Sequence, residues 1–165
     1  MSLRSDLKKL SPEDWRNERV KLRPLLTEDG LIYAACDCQL TEEQQERVNP
    51  AWFSIGRAYL FPEANLPCLT ENEQGEPIGF LNLCQWSAEY DDTSSWSCFI
   101  GRRHQKKGYG KAAAQLAVHI LKTAAPEKPI KLATEAQNLP VQSLYVSLGF
   151  QKLPEMDGGD FVFAL

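Results

Sequence analysis

The stretch HQKKGYGKAAAQLAVHIL, residues 104–121, constrains the fold more than any other part of the chain. Two glycines, Gly108 and Gly110, sit among cationic side chains and run directly into a helical pattern. Ala113, Leu116, Ala117, Ile120 and Leu121 recur at three-and-four spacing until Ala124, Ala125 and Pro126 close the run. Just before it, WSCFI alternates, with Trp96, Cys98 and Ile100 on one face and Ser97 and Phe99 on the other, which predicts a strand ending near Gly101. A strand, a glycine turn and a helix start together make an anion site. The first N–H groups of a helix have no internal partner, the helix dipole is positive there, and glycine lets a ligand approach the backbone.

Which anion is a matter of spacing. A Walker-type phosphate loop fails: Gln105 stands where the first glycine of GxxxxGK belongs, and Ala112 where Ser or Thr belongs. A dinucleotide turn fits better, since GYGKAA reads as GxGxxA and Glu135 ends the next strand about 20 residues on. That motif takes its first glycine straight from an apolar strand, however, and here the polar and cationic residues 101–107 intervene. The remaining readings are a phosphate chain of another kind, or a solvated helix start that holds nothing.

The rest of the chain reads as one α/β domain. Its 165 residues, 43% hydrophobic and 24% charged, suffice for a single sizeable core. Residues 1–19 read as an N-terminal extension with a helix-start signal at Ser11-Pro12-Glu13-Asp14, and residues 20–165 as the domain proper. VKLRPL, residues 20–25, alternates as a half-buried strand, and Thr27 caps a short helix after it. Thr41 and Gln44 have capping-box spacing, and Pro50 restarts a second short helix. Residues 67–86 form a hairpin around Gln74-Gly75-Glu76, and acidic residues 88–95 a turn-rich loop. IKLAT is a strand. A helix then carries Val141, Leu144, Tyr145 and Leu148 on one face and ends at Gly149, and residues 150–165 make a closing hairpin.

A net charge of −4 argues against a general nucleic-acid or membrane-surface binder. Five cysteines without CxxC spacing and two histidines match no familiar zinc site, so reduced thiols are expected and no metal. MSLRSDLKKL lacks the apolar run of a signal peptide, and no window approaches the ~20 apolar residues of a membrane span. A cytoplasmic location is the expectation.

Two motifs outside these patterns carry a family likeness. Gln105-Lys106-Lys107-Gly108-Tyr109-Gly110 fits Q/R-x-x-G-x-G/A, and Asn138 to Phe150 fits N-x-x-A/V-x-x-LY-x-x-LGF. Together they resemble the GCN5-related N-acetyltransferase (GNAT) superfamily, over nearly all of the chain after residue 19. Within it, residues 46–59, 77–81 and 104–113 look most like bacterial spermine/spermidine (diamine) acetyltransferases. The resemblance implies a mixed, mostly antiparallel sheet of six or seven strands, flanked by about four helices, with acetyl-CoA held where two strands splay apart.

It also implies roles. Backbone N–H groups from Lys106 to Lys111, across Lys107, Gly108, Tyr109 and Gly110, would hold the diphosphate, with Gln105 leading into the turn. Arg102, Arg103 and the lysines would neutralise charge. Cys98, Phe99 and Ile100 would pair with the pantetheine arm, and Asn138 would touch it from the other side or serve as a plain helix N-cap. Tyr145, in the LY pair, would be the acid that protonates the departing thiolate.

The base is less well marked, because relatives that carry a glutamate on the strand before the turn have it where this chain has Trp96. Glu135 is the first candidate, with Glu89, Asp91 and Asp92 behind it. The expected reaction moves an acetyl group to a small primary amine, polyamine first. A protein N-terminal or lysine acetyltransferase and a non-catalytic acyl-CoA sensor are the alternatives, and a homodimer is left open. Carboxylates would attract a polyamine, and Trp52, Phe53, Trp86 and Tyr90 would add cation–π contact or pack as anchors.

Overall fold

A computed structural model describes residues 2–87 and 92–165. Among the described residues seven strands form, but they divide into two antiparallel sheets rather than one. The first has the order β1 (Lys21–Pro24), β2 (Asn65–Glu71), β3 (Pro77–Gln85), β4 (Ser94–Ile100). The second has β7 (Asp160–Ala164) between β5 (Lys131–Thr134) and β6 (Gln151–Asp157). The sheets meet at a single parallel bridge among the described residues, Ser94 to Ile130, where the Ser94 N–H donates to the Pro129 carbonyl at 2.9 Å. Beyond that bridge β4 and β5 part.

Alternation along the first sheet gives it two apolar faces. Leu22, Leu66, Leu81, Leu83, Trp96 and Ile100 join one core, and Leu69, Phe80 and Phe99 a second, smaller one. The Phe80 and Phe99 rings stack at 5.4 Å in the second. The larger core is capped by the helix the sequence marks most clearly, α5 (Tyr109–Ala124), whose Leu116, Ile120 and Leu121 are almost wholly buried. Each such side chain contributes about 1.5–3 kcal/mol on leaving water.

More helical segments form than the expected four or so, because several are single turns stopped by local chemistry. α1 (Leu3–Leu7) buries Leu3 and Leu7 in the larger core, so the residues ahead of β1 pack on the body of the protein. Its Asp6 bonds Lys9 at 2.8 Å and Lys128 at 2.9 Å. Burial pushes this carboxyl up, but the two ammonium groups pull it further down, below the usual carboxylate range. The Ser11 signal yields a 3₁₀ turn, Pro12–Trp15, since Arg16 turns extended to bridge Lys21.

Thr27 caps α2 (Glu28–Ile32) with its hydroxyl 3.2 Å from the Gly30 N–H, and a π-turn, Tyr33–Asp37, continues it. The Thr41–Gln44 capping box opens α3 (Glu42–Arg47), and Pro50 is the N-cap of α4 (Ala51–Leu60). α6 (Leu139–Ser147) follows β5 and ends ahead of left-handed Gly149. No helix among the described residues is long and apolar enough to cross a membrane. All five cysteines are free thiols.

Gly79 sets the spacing of β3 and β4. It lies opposite Ile100, and a Cβ there would stand 2.4 Å from the Phe99 carbonyl oxygen. Backbone cannot recede from such a contact as a flexible side chain can. Gly79→Ala is therefore expected to cost about 1–3 kcal/mol as an overpacked site. Thermal unfolding should shift down by roughly 2–4 °C per kcal/mol lost. A melting temperature equal to wild type would show that the strands separate freely at this point.

Candidate active site

The parting of β4 and β5 leaves one edge of β4 bare. The Gly101 N–H donates to Ile78 of β3 at 2.8 Å, whereas that of Ser94 turns the other way, to Pro129. By the alternation of an antiparallel ladder, Ser97 and Phe99 direct their backbone groups at β3, and Trp96, Cys98 and Ile100 direct theirs into the gap. Of the three residues expected to pair with a pantetheine arm, Cys98 and Ile100 thus present backbone to the gap. Phe99 has its amide in the sheet. The Ile100 carbonyl is held at 2.9 Å by the Gln105 side-chain amide, which also bonds Gln44 Oε1.

The chain leaves β4 through a 3₁₀ turn, Arg102–His104, and enters α5 at Gly108. Gly108 has φ +83°, and Lys106 at φ +60° is the one described non-glycine residue in the left-handed region. The first helical bond of α5 runs from the Ala112 N–H to the Gly108 carbonyl at 3.1 Å. The N–H groups of Tyr109, Gly110 and Lys111 precede it and have no helical acceptor. Gly110 adds no side chain over them, so the turn is an open cradle for an anion.

Turn and gap open into one cleft of about 580 Å³. From β4 it takes Cys98, Phe99 and Ile100, and from the turn Gln105, Lys106, Gly108, Tyr109 and Gly110. Opposite stand Asn138 and Tyr145. Lys107 and Lys111 are exposed and lie outside this lining. Asn138 occupies the N-cap position of α6 without making a capping bond, which leaves its side chain to the cleft.

Tyr145 packs against Phe163 at 5.5 Å and Phe150 at 5.9 Å. Burial pushes its phenol well above the ordinary value, and the Cys98 thiol beside it adds to the effect, so the hydroxyl keeps its proton at neutral pH. Burial likewise pushes the Cys98 thiol up to about 12, with Cys38 contributing, which keeps it from acting as a thiolate.

Several lining residues have no local signal in the sequence. α3 borders the gap: Gln44 reaches Gln105 on its wall, and Arg47 Nε lies 3.8 Å from Glu135 Oε2 outside it. His104, Trp96, Thr134 and Asp160 also line the walls. The Thr41–Gln44 capping box announces the helix, but not a neighbour 61 residues away. Trp96 is buried with its ring edge-on to Phe150 at 5.7 Å.

The candidate bases are scattered. Glu135 sits at the rim, paired with Arg47 and outside the lining. Asp92 is exposed and bonded to Lys128 at 3.1 Å, while Glu89 and Asp91 lie outside the described residues. Of the aromatic candidates, Trp52 and Phe53 are surface residues of α4, 64% and 40% exposed, and neither they nor Trp86 lines the cleft. Tyr90 is outside the described residues.

Comparison with known proteins agrees with this fold. No curated protein sequence matches significantly. Among solved structures, an acetyltransferase from Agrobacterium tumefaciens superposes with a TM-score of 0.67 at 18% identity, over 91% of this chain and 92% of that one. Mycobacterium smegmatis RimJ in complex with CoA-disulfide gives 0.66 at 21% identity, over 88% and 81%. Mutant forms of the spermidine/spermine N-acetyltransferase SpeG from Vibrio cholerae give 0.62 at 17%, over 90% and 92%. At such identities the likeness is one of fold. Residues 31–150 match the Acetyltransferase (GNAT) family, and the chain therefore belongs to this family of acetyl-CoA-dependent N-acetyltransferases.

Proposed function

We propose that the protein acetylates a primary amine of a small molecule, with polyamines and diamines the first acceptors to test. One observation carries the chemistry: a proton-retaining phenol, Tyr145, shares a cleft with the bare edge of β4 and the glycine turn. Small amines are the first choice because residues 46–59, 77–81 and 104–113 resemble those of polyamine acetyltransferases. α3 borders the cleft where an acceptor would enter, with Gln44 bonded to Gln105 and Arg47 beside Glu135. A relative of the same fold, SpeG, carries a polyamine acetyltransferase name.

Acetyl-CoA supplies an acetyl group activated as a thioester, and the residues fit it. The free amides of Tyr109, Gly110 and Lys111 hold the diphosphate, and Lys106 adds charge. Backbone of Cys98 and Ile100 aligns the arm, with Asn138 facing it. An alkylamine has a pKa near ~10.4 in water. Apolar walls formed by Trp96, Val141 and Leu144 disfavour the ammonium form and lower that value. Glu135 at the rim accepts the released proton through solvent. As the new C–N bond forms and the C–S bond breaks, Tyr145 gives its proton to sulfur and regains one from solvent.

Incubation with acetyl-CoA and a panel of spermine, spermidine, short diamines, aminoglycosides and peptides tests this by free-thiol release. Thiol release with the small amines is the expected result. Release with peptides alone would assign a protein acetyltransferase, and none with any acceptor would leave an acyl-CoA sensor.

A further inference from the structure

The glycine turn does not hold its own shape. Left-handed backbone at Lys106 is unfavourable for a residue with a Cβ, and such a conformation persists only where its surroundings impose it. Part of those surroundings comes from residues outside the cleft lining. Arg19, just ahead of β1, donates from Nη2 to the Lys107 carbonyl at 2.9 Å and from Nε to Glu73 Oε1 at 2.8 Å. Its guanidinium lies 4.8 Å over the Tyr109 ring. The Tyr109 hydroxyl closes the circuit by donating to Glu73 Oε2 at 2.9 Å.

Three segments distant in sequence thus meet on one planar fork: the chain just ahead of β1, the turn between β2 and β3, and both sides of Gly108. Arg19 lies outside the cleft lining and acts only through Lys107 and Tyr109. From this geometry we infer that Arg19, anchored by Glu73, is a positioning residue for the acetyl-CoA diphosphate, fixing the direction of the amides after Gly108. The inference rests on the reading of that turn as the diphosphate cradle.

The alternative is that Arg19 helps as a bare positive charge near the phosphates, and the two accounts differ in sign at Glu73. Removing an acidic neighbour by Glu73→Gln strengthens anion binding if charge is what matters. It weakens binding if Glu73 holds the fork in place. Arg19→Lys separates them again, because lysine keeps the charge but lacks the planar fork that reaches two acceptors while stacking on a ring.

The test is steady-state kinetics with acetyl-CoA and the best amine, calorimetry with CoA, and hydrogen exchange of residues 106–111. Arg19→Ala is expected to raise the acetyl-CoA KM and the CoA Kd about tenfold, the scale of a lost charge-assisted hydrogen bond. kcat and the amine KM should stay within about twofold of wild type, and amide exchange in the turn should quicken. Arg19→Lys and Glu73→Gln should shift the same way.

Four outcomes overturn the inference. Tighter CoA binding by Glu73→Gln, or wild-type binding by Arg19→Lys, would assign Arg19 to charge. An acetyl-CoA KM unchanged in all three variants would remove it from the site. Should Arg19→Ala fail to fold, Glu73→Gln and Arg19→Lys decide alone. A wild-type protein that turns over acetyl-CoA but keeps the turn free of ligand would overturn the cradle, and the inference with it.

Discussion

Tyr145→Phe is expected to lower kcat for acetyl transfer about 10²- to 10³-fold, within the usual range for a positioned general acid. CoA affinity should stay within about twofold, because the change removes one oxygen and leaves the ring on Phe150 and Phe163. The departing thiolate, of thiol pKa about 8.5, leaves more readily if protonated, and the Tyr145 phenol is a proton-retaining hydroxyl in the cleft. The pH dependence has a definite sign. The Tyr145 pKa is raised, mainly by burial, and an acid works only while protonated. Its contribution therefore persists through neutral and mildly alkaline pH and is lost only above the ordinary tyrosine range. Single-turnover kinetics checks both points. A kcat for the phenylalanine variant equal to wild type, or a fall in wild-type activity that tracks a group titrating near neutrality and vanishes in the variant, would remove Tyr145 from the proton transfer.

Gly108→Val should weaken CoA binding about a hundredfold, or ~2.7 kcal/mol. At φ +83° a β-branched residue is a steric outlier, so the turn must either bear that strain or leave the left-handed region. Leaving it disrupts the carbonyl that accepts the first bond of α5 and swings the free amides away from a common point. Strain alone costs about 1–2 kcal/mol, and misdirected donors account for the remainder. Space is not the cause, because a Cβ at Gly108 finds Arg19 Nη1 at an ordinary 3.5 Å. Titration calorimetry with CoA reads the effect, with circular dichroism to confirm that the fold remains. Wild-type affinity in this variant would mean that the backbone of the turn does not hold the cofactor.

The sequence exposes those parts of this site that depend on local chemistry. α5 begins and ends where the glycines, the helical period and Pro126 place it. The faces of β4 follow from simple alternation. Tyr145 and Asn138 reach the cleft because the motif around them fixes the phase of α6.

What escaped depends on contacts between distant segments. α1 is a five-residue helix with too little periodicity to detect, although Leu3 and Leu7 are core residues. The placement of α3 beside the gap arises from Gln44–Gln105 and Arg47–Glu135 contacts that no local pattern encodes. The division into two sheets arises because, among the described residues, one parallel bridge, Ser94 to Ile130 just ahead of β5, is the whole ladder between β4 and the second sheet. Aromatic character at Trp52 and Phe53 suggested substrate walls or buried anchors, and the structure leaves both at the surface.

The most direct test of the central claim is a crystal structure of the protein with CoA. The account predicts diphosphate oxygens within hydrogen-bonding distance, about 2.7–3.2 Å, of the Tyr109, Gly110 and Lys111 amides, with the pantetheine arm beside Cys98 and Ile100. CoA bound with its diphosphate away from this turn would contradict it.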